Sequence, residues 1–238
     1  MNICIYCIRE FDSLTNDHLF PRSWYPLSYS GQKPIVPSCK QCNNKHGAVE
    51  NRLKNTIGLT MDPRDPEYQP LWESANSALD PSRGKSEKDR IQRLNKLNST
   101  TRSLLIGDQV PKDRIYPGFN LGPHILNGFQ GAIPLSEKDL SKFSEKLVRG
   151  FSYLDGIIIP ATFETESSGD IYSNSNEADS LLSRFGKTTE LGSFFSMTRV
   201  VLEDGLGSLF RYTLWNRLVR YGFTHPPRIQ SPGESFSG

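Results

Sequence analysis

Every cysteine of this 238-residue chain lies in its first 42 positions, in two Cys-x-x-Cys pairs: Cys4-Ile5-Tyr6-Cys7 and Cys39-Lys40-Gln41-Cys42. Two thiolates separated by two residues bend over one ion, because the turn between them points both sulfurs the same way. Two such turns supply the four sulfurs that tetrahedral Zn²⁺ takes. Two disulfides or a duplicated redox motif are the competing readings. The chain opens Met1-Asn2-Ile3-Cys4 without a secretory pattern, which weighs against disulfides, and a redox motif would not come in duplicate here. The expected ion is structural: a closed four-sulfur site leaves no open position for chemistry, and it ties off a loop of about 30 residues.

That loop carries Asn16-Asp17-His18-Leu19-Phe20-Pro21. Neighbouring side chains on a strand point to opposite faces, so one of the Asp-His pair can turn to a metal while the other handles a proton. After the second cysteine pair a helix is predicted from about Asn43 to Thr56. Val49, Leu53 and Ile57 recur at four-residue spacing there, and Gly58 reads as a stop. His46 falls three residues after Asn43, on the same helical face. Drawing the two cysteine pairs together brings this helix start against the segment that bears Asp17 and His18.

The arrangement CIYC…NDHLFPRS…VPSCKQCNNKHG resembles the zinc-containing branch of the HNH endonuclease superfamily, over about residues 3–55. The resemblance implies a β-hairpin followed by a helix around a metal (the ββα-metal fold). It implies His18 as the general base that activates water. Asp17 would be one ligand of a catalytic Mg²⁺ or Mn²⁺ and Asn43 the other, with His46 as an alternative or additional ligand. A near-neutral imidazole accepts a proton at physiological pH, and oxygen ligands suit hard cations. Such an ion would neutralise the scissile phosphate and the departing 3′ oxygen. The family often has an asparagine before the second cysteine pair. Here that stretch is Gln32-Lys33-Pro34-Ile35-Val36-Pro37, and Gln32 is the residue that could stand in to orient His18. Arg22, Lys40 and Lys45 flank the cluster as candidate phosphate contacts. Glu50 reads as a surface carboxylate.

The expected fold class is α+β: a zinc-stapled ββα-metal (HNH) module over residues 1–58, then a mixed helical and antiparallel β accessory region over 59–238. Pro63, Pro66, Pro70 and Pro81 mark 59–82 as a linker without long helices. Residues 84–106 read as a basic amphipathic helix, and 107–135 are Gly- and Pro-rich. Ser136 is a candidate N-cap for a helix striped by Leu140, Phe143, Leu147 and Phe151. Gly156–Ile159 reads as a short strand. Phe194–Leu202 and Ser208–Tyr221 read as an antiparallel pair around the Asp204-Gly205 turn. In the second of these, Phe210, Tyr212 and Leu214 take the buried face, and Arg211, Thr213 and Trp215 the wetter one. Arg217 and Arg220 interleave with its aromatic residues. His124 and His225, beside prolines, read as structural. The tail after Pro226 is Ser/Gly/Pro-rich and reads as frayed.

A net charge of only +2 excludes a chain that coats nucleic acid by charge alone, but Arg83 to Arg102 is locally basic. No apolar run approaches the ~20 residues that span a bilayer, so no membrane partner and a cytoplasmic location are expected. The expected activity is hydrolysis of DNA, most simply double-stranded, as in restriction-like or anti-phage effectors. The C-terminal region would serve substrate choice, a protein partner or homodimer formation. Two alternatives stay open: a non-catalytic zinc-dependent nucleic-acid-binding module, and an RNA-cleaving nuclease.

Overall fold

The computed structural model of the chain describes residues 2–106, 109, 131–169, 175–202, 207–216 and 218–227. Strands β1 (Thr15–His18) and β2 (Ile35–Ser38) form an antiparallel hairpin that pairs Asp17 with Val36 and His18 with Ile35. Helix α1 (Lys40–Gly58) follows at once. It begins three residues earlier than its apolar spacing predicts, because Cys39 is its N-cap and the Cys39 sulfur accepts from the Cys42 N–H at 3.4 Å. The stripe is as read: Val49, Leu53 and Ile57 are buried.

The expected linker is a correction. Helix α2 (Gln69–Leu79) forms inside it, with Pro70 in its first turn, where the missing N–H costs nothing. It packs on the end of α1 at Gly58, where a Cβ would stand 2.7 Å from the Ala75 methyl and 2.8 Å from the Leu71 carbonyl. Helix α3 (Glu87–Ser103) is capped by Ser86 and buries none of its side chains. Strands β3 (Leu105–Ile106) and β4 (Gly131–Ala132) pair briefly.

Helix α4 (Glu137–Leu154) starts as predicted, with the Ser136 hydroxyl accepting from the Asp139 N–H. It ends differently. Gly156 takes φ +82°, the Gly156 N–H reaches the Tyr153 carbonyl and the Ile157 N–H reaches Ser152. This is a Schellman stop, so Gly156–Ile159 terminates a helix rather than forming a strand.

The remaining elements are β5 (Glu164–Ser168), α5 (Ser175–Phe185), β6 (Lys187–Glu190), β7 (Phe195–Val201), β8 (Ser208–Leu214) and β9 (Leu218–His225). The strands form one antiparallel sheet in the order β5-β9-β8-β7-β6. The single strand expected over Ser208–Tyr221 is thus two. Trp215 and Asn216 adopt φ +49° and +53° and turn the chain into a hairpin. The turn also moves Trp215 from the wet face it was assigned to the core, where it is 1% exposed. Arg220 is likewise fully buried, bonded to Glu137 and to the Ser167 carbonyl. The turn at Asp204-Gly205, residues 110–130 with His124, Arg217 and the tail from 228 lie outside the described residues.

One hydrophobic core joins these parts. It runs from Cys4 and Leu19 through Leu53, Phe143 and Leu147 to Phe195 and Leu214, crossing the expected boundary at residue 58. Phe20 is its hub: the ring lies 5.2–6.2 Å from Trp24, Tyr25, Phe194, Phe195 and Trp215. Helix α4 touches both parts: Lys146 bonds Asp17 and the His18 carbonyl, and the Ser144 hydroxyl bonds that of Tyr212 on β8. No helix among the described residues is long and apolar enough to cross a membrane.

Candidate functional site

The first cysteine pair sits in a tight turn closed by the Ile8 N–H on the Cys4 carbonyl and the Cys4 N–H on the Arg9 carbonyl, with Ile8 at φ +55°. The Ile5 N–H to the Pro37 carbonyl ties this turn to β2, just ahead of Cys39. One ligand atom from each of Cys4, Cys7, Cys39 and Cys42 then lies within 4.8 Å of all the others, and no disulfide forms. Sulfurs 2.3 Å from a tetrahedral ion stand about 3.8 Å apart, so the cluster fits Zn²⁺ after a small contraction. Burial pushes the Cys4 thiol up, but backbone N–H groups of Cys39, Cys7 and Tyr6 outweigh it and the group is lowered to about 7. Arg9 lies against the Cys7 sulfur, where its charge offsets the thiolates. These four residues would hold the ion, and it would contribute folding free energy rather than chemistry.

Beside the staple, β1 splits its side chains as a strand must. His18 is half-buried. Its Nδ1 is enclosed without a hydrogen-bond partner, and burial, reinforced by Arg22, lowers its pKa and keeps the imidazole neutral. Asp17 opposes that lowering, and Lys146 and Lys33 add to it. Gln32 does not stand in as an orienting group. Its described contact is its backbone carbonyl, which accepts from the Tyr29 hydroxyl. Arg22 lies in a 3-10 turn and is exposed, as are Lys40 and Lys45 on the first turns of α1.

Asp17 points the other way and is 5% exposed. One carboxylate oxygen accepts from the Tyr6 hydroxyl at 2.8 Å, and the other from the Lys146 ammonium at 3.1 Å. Burial and Asp17 hold the Tyr6 phenol well above its ordinary range, so it stays protonated and donates. Lys146 is wholly buried and also donates to the His18 carbonyl at 2.6 Å and to Glu50. Glu50 is therefore not the surface carboxylate expected. Its side chain is 14% exposed, and burial raises its pKa against the pull of Lys146. Lysine 146 itself, on α4 and about 130 positions along the chain from Asp17, was not legible as a site residue.

The remaining expected ligands have other partners. The Asn43 amide donates to the Thr15 hydroxyl at 3.0 Å. His46 packs its ring 4.4 Å from that of Tyr6, and burial, aided by Lys146, lowers it to about 3. Among the described residues, the four cysteines are the only group of three or more Cys, His, Asp or Glu side chains close enough to share an ion. A hydrated divalent ion keeps several waters, and a carboxylate with both oxygens bonded and almost no exposure has no room to present to one. Asp17, Asn43 and His46 as arranged do not fit a catalytic Mg²⁺ or Mn²⁺.

Two further contacts tie α4 to this site. Arg52 of α1 grips Asp139 in a two-pronged pair at 2.7 and 2.8 Å. Gly150 leaves space for Leu19, whose methyl would lie 1.9 Å from a Cβ there.

No family model matches the chain. A 65-residue stretch is 31% identical to the Septu protein PtuB of Bacillus thuringiensis. The match takes in 26% of this chain and 25% of that protein, so the chain spans about a quarter of the relative's own length. No solved structure matches it.

Proposed function

We propose that this chain is a zinc-stapled nuclease that hydrolyses phosphodiester bonds, most simply of double-stranded DNA, and that it serves in anti-phage defence. The observation that carries the reading is the imidazole of His18. It stands at the end of a strand fixed by the cysteine cluster, its pKa lowered chiefly by burial and by the charge of Arg22, with Lys146 and Lys33 adding to the effect. A neutral imidazole takes a proton from water, and neighbouring cations draw in a phosphate. The likeness to a Septu protein supports the defence setting. Mg²⁺ or Mn²⁺ remains the cofactor class the sequence resemblance implies, but no step is assigned to an ion held by Asp17, which is already bonded to Tyr6 and Lys146.

The test is cleavage of supercoiled plasmid, single-stranded DNA and total RNA by the zinc-loaded chain, with Mg²⁺ or Mn²⁺ added. His18→Ala is expected to slow cleavage by about 10²–10⁴-fold, the usual weight of a general base. A His18→Ala chain that cuts as fast as wild type refutes the assignment. The engagement of Asp17 favours one second reading, a zinc-dependent binding module without catalysis. Binding of the same nucleic acids with no cleavage under any metal would select it.

A further inference from the structure

The ammonium of Lys146 has three protons, and the structure offers it three oxygens: Asp17 Oδ1, the His18 carbonyl and a Glu50 carboxylate oxygen. With a wholly buried side chain, it meets each proton with an acceptor, the condition under which a charge can stay out of water. Those oxygens come from β1 and α1, the two elements on which a metal-binding hairpin-and-helix site would be built. We infer that Lys146 is the resident cation of Asp17 and Glu50, and that Asp17 is not a ligand for a divalent ion while Lys146 holds it. Lys146 is then a positioning residue. It takes the charge of Asp17 and, through the His18 carbonyl, fixes the end of the strand that carries the imidazole. Its own placement comes from α4, anchored on the same side by the Arg52–Asp139 pair and by the close approach of Gly150 to Leu19. Tyr6 completes the enclosure by bonding the second oxygen of Asp17. A cation is thus built into the fold where the sequence pattern calls for one from solution.

The experiment is a Mn²⁺ titration followed by electron paramagnetic resonance, on the zinc-loaded full chain, comparing wild type, Asp17→Asn, Lys146→Met and the double variant. Wild type and Asp17→Asn are expected to bind Mn²⁺ equally. Lys146→Met is expected to tighten binding by about tenfold or more, the scale on which groups around a metal ligand act, and Asp17→Asn in that background to abolish the gain. Weaker Mn²⁺ binding by Asp17→Asn than by wild type overturns the inference, as does a folded Lys146→Met chain that binds Mn²⁺ like wild type. Should Lys146→Met fail to fold, the wild-type chain supplies the second readout. The ¹⁵N resonance of its shielded Lys146 ammonium is expected to persist unshifted at saturating Mg²⁺, and its displacement refutes the proposal. Plasmid cleavage by His18→Ala reads the nuclease assignment separately, so either idea can fail alone.

Discussion

Cys39 does two jobs at once, and serine separates them. Its sulfur belongs to the four-sulfur cluster, and it also caps α1 by accepting from the Cys42 N–H. Cys39→Ser keeps an oxygen in place for the cap but removes a soft ligand from the ion. The ion joins Cys7 to Cys39 across roughly 30 residues, and closing such a loop accounts for about 3 kcal/mol of chain entropy. Cys39→Ser in the presence of zinc is therefore expected to lose about 3 kcal/mol. Cys39→Ala loses a further ~1 kcal/mol with the cap. Urea denaturation followed by tryptophan fluorescence, with and without a strong zinc chelator, measures both differences. Chelation should bring wild type down to Cys39→Ser while leaving the serine and alanine variants their ~1 kcal/mol gap. A chelator that leaves the wild-type midpoint in place, or that lowers Cys39→Ser as far as it lowers wild type, refutes the metal staple and with it the argument for how His18 is positioned.

Two other predictions test how α4 is held to the hairpin. Gly150→Ala forces a Cβ to within 1.9 Å of buried Leu19, so despite alanine's better helix propensity it is expected to cost about 1–3 kcal/mol by overpacking; a thermal midpoint at or above that of wild type contradicts this. The Arg52 guanidinium, its charge-assisted bond outweighing burial, lowers Asp139 below its ordinary 3.8. A depressed carboxylate stabilises the fold above its unfolded pKa and stops doing so as pH falls through the folded one. Asp139→Asn is thus expected to cost about 1–2 kcal/mol at pH 7, by urea denaturation, and progressively less as pH drops below 3.8; a constant difference down to pH 3 argues against the pair.

Local chemistry was readable and long-range chemistry was not. The cysteine pairs, the Val49-Leu53-Ile57 stripe and the Ser136 cap each depend on residues within a few positions of one another, and the structure has all three. Pro70 misled because a proline ends a helix or begins one, and spacing does not say which. Trp215 misled because a bulky residue at positive φ breaks the alternation on which face assignment relies. Lys146 offered only a faint signal. It falls three residues after Phe143 and four before Gly150, on the inward arc of α4, yet a lysine among Lys142, Glu145 and Arg149 looks like a solvated face. What identifies it is the pair of carboxylates that the fold delivers from Asp17 and Glu50, and no window of sequence contains all three.

Phe20 stands two residues beyond His18, wedged among rings drawn from its own loop, from Phe194–Phe195 and from the Trp215 turn. Packed interiors transmit displacement instead of absorbing it. Hollowing out this cluster, as in Phe20→Ala, is accordingly expected to loosen both the Trp215 turn and the strand that carries His18.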